Sequence, residues 1–199
     1  MKIDHSQQGN EPKRAPLAAL DRPERDTGRA HLSAEVSEAV SSLQKFANLQ
    51  SEVAVQQLSR PAALAKIAEQ MLLFTGATGA AIALLHDENL VCKASVGEAP
   101  PVGTVVPVDG SLSGECFRTG SLVSCEDTRS DQRFSREVRD QLPFRSLLIL
   151  PITDTERKTV GLLEVLSPDA EQFDAGDVLI LGFVADLIAT LTDNSLSSL

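Results

Sequence analysis

The chain has 199 residues, 42 % of them hydrophobic, three cysteines, no Trp or Tyr, and a formal net charge of −10 at pH 7. That is apolar content for one ordinary domain with extensions or two small ones, and an odd cysteine count without a CxxC pair suits a reducing compartment rather than a disulfide framework. Residues 1–30 set six basic side chains against five acidic ones, so the rest of the chain carries −11; with no basic stripe and no Trp or Tyr to stack on bases, nucleic acid is not expected as a partner of the folded part.

The apolar runs are read as falling short of the roughly 18–20 residues of a membrane span. The first stretch, MKIDHSQQGNEPKRAP, has no apolar segment of a secretory signal. The expectation is a soluble cytoplasmic protein with no membrane partner. Residues 1–30 mix Pro, Gly and charge with no apolar period and read as a disordered arm.

From 31 to 59 the pattern changes. Leu32, Val36, Ala39, Leu43, Phe46, Gln50, Val53 and Gln57 fall on an alternating 4,3 spacing, a heptad seam over about four heptads. A helix that pairs with its copy in a homodimer explains this; a surface helix lying on its own domain gives a similar pattern. Ser59-Arg60-Pro61 breaks the chain and starts a new helix, with Pro61 in its first turn. Leu64, Ile67, Met71 and Phe74 give that helix an apolar stripe, and Gly76 and Gly79 end it.

Strands follow. AAIALLH (80–86) and NLVCKASV (89–96) read as a hairpin, the second strand placing Leu90, Cys92, Ala94 and Val96 on one face. TVVPVD (104–109) reads as a short edge strand, because Pro107 removes a donor. GSLSGECFRTG is a short helix capped by Ser111 and stopped by Gly120. SLVSC is a short strand, and the polar stretch after it holds one helical turn. RSLLILPI (145–152) and TVGLLEVLS (159–167) are buried strands. Asp174 caps a last helix to about Leu191, with Val178, Leu181, Ala185 and Ile188 on one face and further apolar residues nearly all round, as for a helix buried on two sides. One side is expected to meet the sheet and the other a partner helix. The order describes an α+β fold: an antiparallel sheet with helices from both chain ends on one face.

The blocks GATGAAIALLHDENLVCKASVG, SLSGECFRTGSLVSCEDTRSDQRF, FRSLLILPI and VGLLEVLSPDAEQFDAGDVLILGFVADLIA, in that order, resemble a GAF domain over roughly residues 55–192. The resemblance implies a sensory or signal-transduction module. In it a six-stranded antiparallel sheet carries terminal helices on one face and, on the other, a small-molecule pocket roofed by about residues 104–145. It implies a layout of arm (1–30), dimerisation helix (31–59), GAF domain (60–192) and short tail (193–199). Terminal helices of the family commonly pair in dimers, which fits the seam residues Leu32, Val36, Leu43, Phe46 and Val53 and the last-helix residues Val178, Leu181 and Ile188.

Some members of the family are enzymes that reduce free methionine sulfoxide with cysteines in the loop before the roofing helix and further along the roof. Here VPVDGSLSGE carries Ser111 and Ser113 at that loop and no Cys. Cys116 lies inside the helix and Cys125 on the next strand, away from the helix N-terminus that would make a reactive thiolate. Buried, inert cysteines are the expectation. Cyclic-nucleotide-binding members carry an Asn-Lys pair that this chain lacks, and none of the cysteines precedes a His, as bilin attachment often uses. His86 stands alone at a strand end, so neither a metal nor another cofactor is expected.

The candidate pocket residues are therefore Cys116, Phe117, Cys125, Asp127, Phe134 and Glu164. Asp127 is the strongest polar candidate. Glu164 shares a strand face with Leu162 and Leu166, so it must be paired or titrate; an edge position, or a pair with Arg145 on the neighbouring strand, is the favoured explanation, a cationic ligand group the alternative. The expected function is a non-catalytic regulatory domain that binds an unidentified small molecule, homodimerises through its terminal helices, or does both, with other signalling proteins as further partners. The alternatives are a dimerisation scaffold with no ligand and, less favoured, a thiol reductase.

Overall fold

A computed structural model describes residues 24–193. The chain divides into two compact units, residues 1–36 and 37–199; of the first, only the helical backbone from Glu24 is described. Most of the expected arm, residues 1–23, and most of the expected tail, 194–199, lie outside the described residues.

Helix α1 runs Glu24–Val55. It takes in residues 24–30, expected in the arm, and stops short of 59, because Gln57 turns the backbone to φ 46°. Within the second unit, Phe46, Leu49 and Val53 of α1 are buried in the domain's own core, and the Phe46 ring lies 5.6 Å from that of Phe183. The spacing 46, 49, 53 is the stripe of a helix lying on its domain. Leu43, expected on the same seam, is 46 % exposed, as is Val40 at 48 %, and Gln50 is exposed too. The side chains of Leu32 and Val36 lie outside the described residues.

Helix α2 (Arg60–Thr75) starts with Pro61 in its first turn and ends on Gly76 in the left-handed conformation. Ala63, Leu64, Ile67, Ala68 and Met71 form its buried stripe. Strands β1 (Gly79–His86) and β2 (Asn89–Gly97) then make the expected hairpin. Their register shifts between Ile82 and Ala83, which pair with Ala94 and Cys92 and leave Lys93 as an extra residue. A bulge of this kind reverses which face each later side chain takes. Ala94 and Val96 accordingly join the core beneath the helices, whereas Leu90 joins the opposite cluster. The expected single face for Leu90, Cys92, Ala94 and Val96 is corrected by that one residue.

The remaining elements are α3 (Leu112–Thr119), β3 (Val123–Cys125), α4 (Arg136–Arg139), β4 (Ser146–Thr153), β5 (Thr159–Ser167) and α5 (Ala175–Asp193). The sheet has five strands in the order β2-β1-β5-β4-β3, and every pairing is antiparallel. The expected sixth strand at 104–109 is a single bridge, Val91 to Val105. Cys92 and Val106 donate backbone N–H groups to Thr104 and Leu90 there, and Pro107, with no N–H, ends the ladder. Asp174 caps α5 as expected, its carboxylate accepting from the N–H groups of Gly176 and Asp177 at 2.7 and 3.1 Å.

Alternation along β4 and β5 builds two cores. Leu148, Leu150, Leu163 and Val165 face α1, α2 and α5, whereas Leu147, Ile149, Leu162 and Leu166 face α3 and the loops around it. Helix α5 is long and apolar enough to cross a membrane by length and composition, which corrects the reading of the apolar runs; in the fold it lies on the sheet with Ile180, Leu181, Val184, Ala185 and Ile188 buried. Leu181 and Ile188 thus face the chain's own sheet rather than a partner helix. Truncating Leu49 to Ala is expected to destabilise the protein by about 2–5 kcal/mol, and Leu43→Ala by less than about 0.5 kcal/mol, read from urea unfolding at concentrations low enough to keep the chain monomeric.

Candidate functional site

The face of the sheet opposite the helices is covered by a roof of loops and short helices. Helix α3 is held there by its caps: Ser111 Oγ accepts from the Gly114 N–H at 2.9 Å, and Gly120 closes the other end in the left-handed conformation. Gly114 has to be glycine, because a Cβ would stand 1.7 Å from the Val108 carbonyl oxygen. That close approach fixes α3 against the strand-like segment before it. Arg118 ties the same two pieces together, donating to the Val108 carbonyl and lying 3.6 Å from Asp109.

Arg133 fastens the far side of the roof. Its guanidinium donates to both carboxylate oxygens of Asp131 and, at 2.6 Å, to the Ser124 carbonyl on β3. The Arg133 hydrogen bonds hold the Asp131 carboxyl down at about 2.

Beneath the roof is a cavity of about 950 Å³. Leu147, Ile149 and Leu166 give it an apolar floor, Phe134, Phe144 and Val138 an apolar side, and Ser111 and Ser113 a polar edge. In the middle of the floor stands Glu164, paired through the backbone with Ala81 on one side and Ile149 on the other. Its carboxylate accepts from Ser113 Oγ at 3.1 Å. Burial pushes the Glu164 carboxyl above its ordinary range, and the Ser113 hydrogen bond only partly opposes this. The expected partner, Arg145, is elsewhere: it forks onto Asp127, whose carboxyl that contact lowers. Glu98, Glu115, Arg118 and Arg133 also line the cavity. Both arginines are already engaged with the protein's own acceptors; Glu115 lies 4.0 Å from Arg133, Glu98 accepts from the Thr78 hydroxyl, and Glu164 is the carboxylate set in the apolar floor.

Of the six candidate pocket residues, the cavity brings together Phe134 and Glu164. Cys116 is fully buried in the cluster under α3, near the Ile149 carbonyl at 3.8 Å, with Phe117 packed against that cluster. Cys125 lines a separate cleft of about 170 Å³ beside Phe173. Asp127 lies off the cavity, in its pair with Arg145. Burial, with Glu164 and Glu115 adding repulsion, pushes the Cys116 thiol up to about 12. Burial and then Asp131 push Cys125 to about 11, and burial raises Cys92 too. His86 is exposed at the β1–β2 turn. Among the described residues no group of three or more His, Cys, Asp or Glu side chains could hold a metal.

Ser113, Glu98 and Phe144 were missed as wall residues. Ser113 had a visible signal, a hydroxyl in the first turn of the roofing helix; Glu98 and Phe144 sit in loops whose path no periodicity reveals.

The family model for the GAF domain matches residues 57–193. No curated protein matches the chain. Among solved structures, the GAF domain from an Acinetobacter phosphoenolpyruvate-protein phosphotransferase superposes with a TM-score of 0.68 at 19 % identity, over 79 % of this chain and 96 % of that one. The free methionine-R-sulfoxide reductase from Neisseria meningitidis, solved in complex with its substrate, gives 0.68 at 21 %, over 81 % and 93 %. The GAF domain of a Coxiella burnetii phosphoenolpyruvate-protein phosphotransferase gives 0.67 at 14 %, over 80 % and 96 %. At these identities the likeness is one of fold.

The raised Glu164 carboxyl has a sign that can be checked. The native state keeps this proton to higher pH than the unfolded chain, so the site is neutral at no cost below the ordinary value of 4.5 and takes stability away as pH rises above it. Glu164→Gln is therefore expected to melt higher than the parent protein at pH 8, with the gap closing at pH 4. Each 1 kcal/mol gained reads as about 2–4 °C in calorimetry for a chain of this size.

Proposed function

The chain belongs to the GAF domain family, and we propose that it is a non-catalytic regulatory module whose roofed cavity binds a small molecule with an apolar body and a cationic or hydrogen-bond-donating head. The observation that carries this is the carboxylate of Glu164 in an otherwise apolar floor, with Ser113 as its one hydrogen-bond donor among the described residues. An isolated carboxylate in such a place is unfavourable when ionised. A protonated amine arriving above it removes the cost and gains an ion pair in a water-poor site. The size of the cavity, about 950 Å³, is that of a site for a small molecule.

A thiol enzyme has less support. Its nucleophile needs a lowered pKa and access, and all three cysteines are buried with their thiols shifted the other way. In this reading the module is cytoplasmic and passes its occupancy to signalling partners.

The test uses short amphipathic primary amines and the alcohols of matched shape. Amines are expected to raise the melting temperature saturably, since a ligand of the native state must stabilise it, and the alcohols much less. Glu164→Gln should erase the difference. Equal responses to amine and alcohol, or an amine preference that survives in Glu164→Gln, reject the proposal.

Homodimerisation is favoured by a separate observation. Val40 and Leu43 stay exposed on α1 while Phe46, Leu49 and Val53 are buried in the domain, so the helix presents a second apolar edge, as paired helices do. Val40→Glu with Leu43→Glu is expected to halve the mass by light scattering and leave circular dichroism unchanged. A mass that does not move rejects this edge as the interface.

A further inference from the structure

We propose that a second hollow, formed by the loop after β3, helix α4 and the start of β4, binds the phosphoryl group of a small phosphorylated molecule. The hollow has a volume of about 610 Å³, and its wall carries four arginines, Arg129, Arg136, Arg139 and Arg145, against one acid, Asp140. Four guanidinium groups in so small a space repel one another, and they do so in a chain whose net charge is −10.

Their partners neutralise one of the four. Arg145 is held by Asp127. Arg139 donates to the Arg129 carbonyl at 2.8 Å, a neutral acceptor that places the group without cancelling its charge. The side chains of Arg129 and Arg136 have neither a hydrogen bond nor a close ion pair among the described residues. Two uncommitted guanidinium groups beside a third that is fixed in place form a site for a compact dianion.

The residue type narrows the class. Arginine offers planar forks of N–H donors that match phosphate oxygens, and it binds them in pairs. Leu142, Pro143 and Phe144 complete the wall, giving an apolar surface for the body of an ester. The acidic surroundings decide between small and large anions. A net charge of −11 on residues 31–199 repels a polyanion at long range, whereas a single phosphoryl group meets three arginines with no close ion pair among the described residues, Asp127, Asp169 and Glu171 acting on the fourth.

The experiment measures thermal stability against phenyl phosphate and inorganic pyrophosphate, with ionic strength held constant by sodium chloride. A saturable rise is expected for both probes in the parent protein. Arg129→Ala with Arg136→Ala should raise the half-saturating concentration at least tenfold, whereas Arg157→Ala, on the β4–β5 turn, should leave it unchanged. Arg136→Gln alone, at an exposed and unbonded side chain, should weaken binding several-fold and serves if the double variant does not fold. A linear response without saturation, or equal weakening by Arg157→Ala, overturns the proposal.

Discussion

The register between β4 and β5 is the constraint on which the rest depends. It sets Glu164 opposite Ile149, and Leu163 opposite Leu150, so one strand has a wholly aliphatic face and a face interrupted by a carboxylate. A slip of one residue would turn Glu164 into the core beneath the helices and put Leu163 under the roof. The aliphatic face is closed by α2 and α5, and by the part of α1 in the same unit, which pack as helices do on a sheet. The other face has only α3 and loops, which do not fill it. A cavity with an acid in its floor is the consequence of covering two faces of one sheet with such different material.

Two kinds of fastening keep the roof in place above that floor. One is steric: Gly114 lets α3 approach the Val108 carbonyl more closely than any other residue allows. The other is ionic, Arg133 to Asp131 and Arg145 to Asp127. Both pairs take up a guanidinium that is otherwise open to a ligand. Exposed ion pairs contribute little to stability; their effect here is on position, because Arg145–Asp127 ties the loop to the start of β4, and Arg133, braced by Asp131, reaches the Ser124 carbonyl on β3. With these cations committed elsewhere, the floor carboxylate is raised by burial and only partly held down by Ser113, which is the property that a cationic ligand can use.

Much of this was legible in the sequence because it rests on local chemistry. The hairpin, the two central strands, the Ser111 cap and the Asp174 cap are each written in a few adjacent residues. The arrangement around the site was less so. Lys93 carries no mark that distinguishes a bulged residue from an outward-facing strand residue, yet it sends Ala94 and Val96 to the other face. On α1 the spacings 43, 46, 50, 53 and 46, 49, 53 overlap, and periods of 3.5 and 3.6 separate only over many turns; which one is buried depends on Phe183, far along the chain. In the sequence Arg145 has two candidate acids; the register takes Glu164 away to stand opposite Ile149, and Asp127 lies in the loop after β3. The choice depended on the path of that loop, which has no periodicity to read.

The arginine hollow and the cavity are not independent pieces of surface. Pro143 and Phe144 line both. A ligand on either side that prefers one placement of this short wall changes the affinity of the other side by the same factor, because coupling between sites is reciprocal. The required element is small: a two-residue wall between α4 and β4, on a loop with few buried contacts, next to a rigid central strand. Local stability is lowest in such segments, and a modest difference in binding energy suffices to shift them. The same wall explains why Phe144 is only half-buried despite its size. Its ring packs against the cluster under the roof and also stands at the boundary between the two spaces.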